Sequence, residues 1–143
     1  MSRTPRPAVL LAVLFAALTA PAGAADVAGR ASVIDGDTIE LHGQRIRLYG
    51  IDAPERAQKC SQYGDSWPCG QRAASVLADR IGTRTVSCKP RDRDQYGRIV
   101  AVCLVGGDNL NAWMVRQGWA LAYRHYSTYY VDVLVRRQRL DTP

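Results

Sequence analysis

The chain has 143 residues, 19 Lys and Arg against 13 Asp and Glu, and a net charge of +6 at pH 7. That length holds one compact domain and no more, and the absence of repeats and low-complexity segments excludes a solenoid or a tail-like chain. The modest basic excess suits an anionic partner, nucleic acid or a membrane surface.

The first 24 residues read MSRTPRPAVLLAVLFAALTAPAGA. Arg3 and Arg6 give a positive start, Val9 to Leu18 is apolar, and Ala22-Gly23-Ala24 forms a small-residue cleavage site. The apolar run falls short of the roughly 20 residues of a membrane span. This pattern predicts a secretory signal peptide cleaved after Ala24, and hence a secreted or periplasmic protein with no stable membrane insertion. The mature domain, 25–143, keeps 119 residues and, without Arg3 and Arg6, a charge of +4.

GRASVID and DTIELHG flank Asp35-Gly36, and QRIRLYGI follows a second turn at Gly43-Gln44. Ile39 and Leu41 alternate with Thr38 and Glu40, and Ile46 and Leu48 with Arg45 and Arg47, which predicts three consecutive antiparallel strands. Asp52 to Gly70 shows no periodicity and reads as an irregular loop. In QRAASVLADRI, Ala73, Val76, Leu77 and Ile81 recur at helical spacing, and Gly82 ends the helix. RTVSCK and RIVAVCLV are two further strands joined by PRDRDQYG. DNLNAWMVRQG is a second helix, capped by Asp108 or Asn109, with Leu110, Trp113 and Met114 facing inward and Gly118 as the stop. Five strands with a helix between the third and fourth predict an α+β fold: a five-stranded Greek-key OB barrel with two or three helices. So small a barrel has no internal cavity, so a site must lie on its outer face or rim.

Four cysteines in an exported chain suggest disulfides, and four allow three connectivities. The expected pairs are Cys60–Cys69, stapling the loop CSQYGDSWPC, and Cys88–Cys103, crossing the hairpin whose turn is centred near Gln95-Tyr96. Zinc is the competing use, but the spacings match no common zinc pattern and His42 and His125 are the sole histidines.

The chemistry gathers in IDGDTIELHGQRIRLYGIDAPE, Ile34 to Glu55. Asp35-Gly36 alone is a turn signal. Asp37 and Asp52, however, fall at the same end of two paired strands, and neighbouring carboxylates take up a proton or bind a cation. Oxygen ligands without thiolate or imidazole favour Ca²⁺ or Mg²⁺. Arg47, five residues before Asp52, and Arg98, after DQYG, offer donor forks that match a phosphate. Acids and arginines together form the parts of a phosphodiester-cleaving site.

VIDGDTIEL, RIRLYGIDAPE, DRDQYGRIVA and LNAWMVRQGWALAY resemble, in order, the signature segments of the staphylococcal nuclease-like (thermonuclease) family. The resemblance covers about Gly29 to Tyr126. It implies an OB-fold enzyme that uses Ca²⁺ to cleave DNA and RNA, with low sequence specificity, as a monomer. By motif position, Asp37, Asp52 and the backbone carbonyl of Ala53 are the implied metal ligands, with Asp35 in the outer shell. Glu55 is the implied water-activating residue, aimed by the turn at Pro54. Arg47 is implied to grip the phosphate and Arg98 to stabilise the charged transition state. Tyr96 is implied to bond a phosphate, and Tyr123 and Tyr126 to stack a base.

The chain departs from the family at three places. Ala53 replaces a usual threonine, which a main-chain ligand tolerates. Gln95 stands where lysine is common, removing one phosphate contact. The tail STYYVDVLVRRQRLDTP, with Val131, Val133 and Val135 alternating, departs from the family's usual third helix and has no Trp for its Gly-x-Trp end, so 126–143 is atypical. The alternative readings are a catalytically inactive OB-fold module that binds nucleic acid or peptide, and a disulfide-stapled structural domain of the envelope. Retention of Asp37, Asp52, Glu55, Arg47 and Arg98 favours the enzyme.

Overall fold

The computed structural model describes residues 24–123. The leader up to residue 23, Tyr126 and the atypical tail, on which a third helix would fall, lie outside the described residues.

Strands β1 (Val27–Gly29) and β2 (Ala31–Asp35) form one extended segment bent at Arg30. β3 (Thr38–Leu41) and β4 (Gln44–Leu48) complete a meander, with Ile39 opposite Ile46 and Thr38 opposite Arg47. After β5 (Ile51–Asp52) come a small hairpin, β6 (Cys60–Gln62) and β7 (Asp65–Trp67), and helix α1 (Cys69–Ile81). β8 (Val86–Arg93) and β9 (Ile99–Val105) make the longest hairpin. β10 (Asp108–Asn109), α2 (Leu110–Arg116) and β11 (Leu121–Ala122) end the described chain.

The main sheet runs β1-β8-β9-β4-β3-β2. Its β4–β9 pair is parallel, with Ile46 opposite Ile99, and the other pairs are antiparallel. Because β1 pairs with β8 while β2, one residue further on, pairs with β3, the ladder returns on itself through Arg30. This curled mixed sheet is the expected OB barrel. The alternation read from the sequence supplies its core: Ile39, Leu41, Ile46 and Leu48 point inward and are fully buried, with Val86, Ala101 and Val105 from the second hairpin. Leu77 and Ile81 of α1 and Leu110 and Met114 of α2 belong to the same buried cluster. Each such side chain contributes about 1.5–3 kcal/mol on burial.

Both expected disulfides are present. Cys88 and Cys103 are directly opposite in the β8–β9 ladder, with Cα atoms 4.0 Å apart, the close spacing of a non-hydrogen-bonded pair. A bulge between Pro90 and Asp92 sets that register, because the hairpin closes symmetrically about Tyr96. Cys60–Cys69 joins the small hairpin to the start of α1, with Cα atoms 5.6 Å apart.

Several local expectations are corrected. The segment Asp52 to Gly70 is not wholly irregular: Gln62 pairs with Asp65 across a two-residue turn, Tyr63-Gly64, whose φ angles of 54° and 90° are those of a type I′ hairpin. The second turn of the meander is His42-Gly43, not Gly43-Gln44, again with both φ positive, at 51° and 76°. α1 begins two residues early, at Cys69, and buries Ala74 where Val76 was expected, Val76 being half-buried. Asn109, rather than Asp108, caps α2, its side chain accepting from the Ala112 amide at 3.0 Å. Trp113 is half-buried beneath the Arg80 guanidinium, 5.1 Å from the ring centre.

Candidate active site

Register alone places the first group. Arg47 lies opposite Thr38, so its side chain emerges beside Asp37 in the preceding turn, and the Leu48 amide donates to the Asp37 carbonyl at 2.7 Å. Arg47 Nη1 is 3.3 Å from Asp37 Oδ2, and Arg47 Nη2 donates to Asp52 Oδ1 at 3.0 Å. One guanidinium thus ties together the acids at the ends of two strands. Asp37 Oδ2 also accepts from the Ala53 amide at 3.0 Å and Oδ1 from the Thr38 hydroxyl at 2.9 Å. Asp35 Oδ1 accepts from the Asp37 amide at 3.1 Å, so the three acids of this corner are linked through Arg47 and the Asp37 backbone.

The charge balance is uneven: Asp35, Asp37 and Asp52 share one arginine. Asp37, 3% exposed, has its pKa pushed up from 3.8 to about 6. Burial is the largest cause; the Ala53 amide and Arg47 pull it back, and the Asp35 carboxylate pushes it further up. The pKa of Arg47 is raised, burial opposing its charge while Asp37 and Asp52 more than offset that.

The second group sits on the β8–β9 turn. Asp94 Oδ1 accepts from the amides of Tyr96, at 2.9 Å, and Arg98, at 3.0 Å, and Oδ2 accepts from Arg98 Nε at 2.6 Å. Its pKa is lowered: burial pushes it up, and the Arg98 side chain with these amides outweighs that. Asp94 engages the Arg98 guanidinium through Nε and leaves the terminal amino groups for another partner. The guanidinium carbon lies 5.6 Å from the Tyr96 ring centre, and Tyr96 is 76% exposed.

Between the two groups opens a cleft of about 610 Å³, lined by Arg47, Asp52, Tyr96, Arg98, Tyr49 and Tyr123 among others. Tyr123 is held there because its amide donates to the Gly50 carbonyl at 2.8 Å and because β11 pairs with β5, Leu121 opposite Asp52. Two arginines facing across a cleft with exposed tyrosines can hold a phosphate and lay a flat ring beside it.

Glu55 stands apart. Its side chain is exposed and does not line the cleft. Its backbone, however, is fixed: the Gln58 amide donates to the Glu55 carbonyl at 2.8 Å, and the Gly70 amide donates to the Gln58 carbonyl at 3.1 Å. The first turn of α1 presses so closely here that a Cβ on Gly70 would lie 1.7 Å from the Glu55 carbonyl oxygen. Among the described residues, no three His, Cys, Asp or Glu side chains converge to hold a metal. The acids that come together are Asp37 and Asp52, with the Ala53 peptide between them.

Three residues of the site escaped sequence reading. Asp94 looked like one charge of a polar turn, although Asp four residues before Arg across a Gly-containing turn is a capping pattern. Asn111 is fully buried in α2: its Oδ1 accepts from the Cys103 amide at 3.0 Å, and its Nδ2 donates to the carbonyls of Tyr49, at 2.9 Å, and Ala101, at 3.1 Å. It joins the helix to β9 and to the bend before Asp52. Arg56 donates to the carbonyls of Ile34 and Val33, at 2.6 and 2.9 Å, fixing the chain after Glu55 against β2.

A family model described as "Staphylococcal nuclease homologue" matches residues 45–139. The chain is 43% identical over 118 residues to the succinoglycan biosynthesis protein ExoI of Rhizobium meliloti, covering 80% of this chain and 60% of that protein. It is 40% identical over 114 residues to an uncharacterized endonuclease of Escherichia coli, covering 76% and 69% of the two. A micrococcal nuclease of Shigella flexneri is 35% identical over 127 residues, covering 76% of this chain and 68% of the relative. The chain therefore spans about two thirds of the length of these relatives.

Proposed function

Because the chain belongs to the staphylococcal nuclease homologue family, we propose that it is an exported, Ca²⁺-dependent nuclease that hydrolyses phosphodiester bonds of DNA, RNA or both with little sequence preference. The observation that carries this reading is the pairing of Arg47, bonded to Asp37 and Asp52, with Arg98, held by Asp94, across one cleft.

In this reading both guanidiniums grip the phosphate. Arg47 contributes Nη2, which it shares with the exposed Asp52 carboxylate. Arg98 contributes its terminal amino groups, which Asp94 orients by fixing Nε. As negative charge builds on the phosphorus oxygens, these donors are already in place and need no reorganisation. Glu55 positions or deprotonates the attacking water, and Tyr96 and Tyr123 hold the flanking phosphate and base.

The donor chemistry fits a hard cation. Three acids share one arginine, the best-buried of them has its pKa pushed up to about 6, and oxygen is the sole donor type at this corner. Asp37, Asp52 and the Ala53 carbonyl would hold Ca²⁺, with Asp35 in its outer shell. The ion would neutralise charge on the phosphate. Two disulfides and the leader-like start support export.

One observation favours a second reading. The exposed Glu55, outside the cleft lining, suits a module that binds nucleic acid without cutting it. The two part in one experiment: cleavage of single-stranded DNA by the mature chain, 25–143, with Ca²⁺ and then with excess EGTA, beside Glu55→Ala. Cutting that needs Ca²⁺ and is lost in Glu55→Ala is expected. Binding without cutting would overturn the nuclease reading in favour of the module.

A further inference from the structure

On the other side of Asp52 lies a second concavity, of about 290 Å³. Trp67, Trp119, Pro54, Leu121 and the Cys60–Cys69 bridge form its walls, and Asp52 lines both this bay and the phosphate cleft. The two indoles meet edge to face, ring centres 6.3 Å apart and planes at 70°. Each is half-buried, and Leu121 beside them is 72% exposed.

The bay is built rather than incidental. Trp67 ends the small hairpin directly opposite Cys60, so the bridge to Cys69 fixes the base of the strand that carries it. Trp119 follows Gly118, just past the Gln117 cap that ends α2, and its amide donates to the Met114 carbonyl at 3.0 Å. Asp52 is the sole charged residue among those described as lining the bay. Among the described residues a phosphate meets no cation there, whereas a flat, largely apolar ring meets two indoles and Gln58.

We propose that this bay is a nucleobase-stacking subsite, for the nucleotide on the opposite side of the scissile phosphate from the base held at Tyr123. The proposal rests on the nuclease reading. Continuity through Asp52 points to the occupant: Asp52 lines both concavities, so a strand whose phosphate sits between Arg47 and Arg98 has a direct path past Asp52 into the bay. Its next base then meets the tryptophans. Stacking of this kind tolerates every base, in keeping with low sequence preference.

The test uses short single-stranded DNA with one cleavable phosphodiester, its other linkages blocked as methylphosphonates, and an abasic nucleotide placed on either side of the cleavable bond. With wild type, an abasic nucleotide on the bay side is expected to raise KM about fivefold to a hundredfold, the range of one base stack, with little change in kcat. Trp67→Ala should raise KM for the intact substrate equally and abolish the further effect of the abasic nucleotide, whereas Trp67→Phe should keep most of the affinity. The wild-type abasic comparison does not depend on any variant folding. If the abasic penalty is the same in wild type and in folded Trp67→Ala, no base stacks there and the proposal is overturned, while the cutting itself leaves the nuclease reading intact. If wild type neither binds nor cuts, both fall together.

Discussion

Replacing Asp37 by asparagine should make the metal-free protein more stable at neutral pH. The native carboxyl has a pKa of about 6 against an ordinary 3.8. The folded state therefore holds the proton more tightly than the unfolded state. The associated stability is fully present below about pH 3.8 and is lost as pH rises through about 6. A shift of that size corresponds to about 3 kcal/mol at pH 7.5, at roughly 1.4 kcal/mol per unit. Asparagine carries no charge, so the burial penalty disappears. It keeps one oxygen, so it satisfies either the Ala53 amide or the Thr38 hydroxyl and turns its amino group to the other, at a cost of about 1–2 kcal/mol; the attraction of Arg47 is already contained in the raised pKa. The net gain is about 1–2 kcal/mol at pH 7.5, vanishing or reversing near pH 4. Urea denaturation of both proteins in EGTA at pH 4, 5.5 and 7.5 measures it, and the difference between them reports Asp37 together with the Asp35 carboxylate that interacts with it. Added Ca²⁺ should stabilise wild type and not Asp37→Asn. A variant less stable than wild type at pH 7.5, or a difference that does not change with pH, would refute the reasoning.

Arg98→Ala should lower kcat by about 10²–10³, the usual loss on removing one donor to a developing oxyanion, with a near-native circular dichroism spectrum; an unchanged rate would remove Arg98 from its role. Gly70→Ala forces a methyl into the Glu55 carbonyl, so it should lower both melting temperature and kcat, and retention of both would show that the packing yields freely. Removing the Cys88–Cys103 bridge as a double alanine variant should cost about 3 kcal/mol in urea denaturation on the loop-entropy account, a figure that a loss under about 1 kcal/mol would contradict.

The barrel was legible where strands have one wet and one dry face. Ile39 and Leu41, then Ile46 and Leu48, announce their pairing by period two, and a turn placed near Gln95-Tyr96 sets Cys88 opposite Cys103, the register that β8 and β9 adopt beyond the bulge. The hairpin from Cys60 to Trp67 was not legible because it packs no apolar face of its own: Ser61, Gln62, Asp65 and Ser66 are all exposed, and the disulfide and the Tyr63-Gly64 turn stand in for hydrophobic alternation. The two-residue strand at Leu121 is too short to carry any period. At the site, Asp37, Arg47 and Asp52 follow from register, so the sequence brought them together. Asn111 and Asp94 did not, because a buried amide and a capping carboxylate are recognisable through the backbone groups they meet, which come from distant segments.

The Asn111 side chain has a dynamic consequence. By engaging the Cys103 amide together with the Tyr49 and Ala101 carbonyls, it couples α2 to the bend that carries Asp52. Two of those partners sit on β9, at the centre of the sheet. The bend is therefore expected to open together with β9 instead of fraying as a surface loop. Hydrogen exchange at the Cys103 amide, which the Asn111 side chain caps, is the probe that would follow this shared opening.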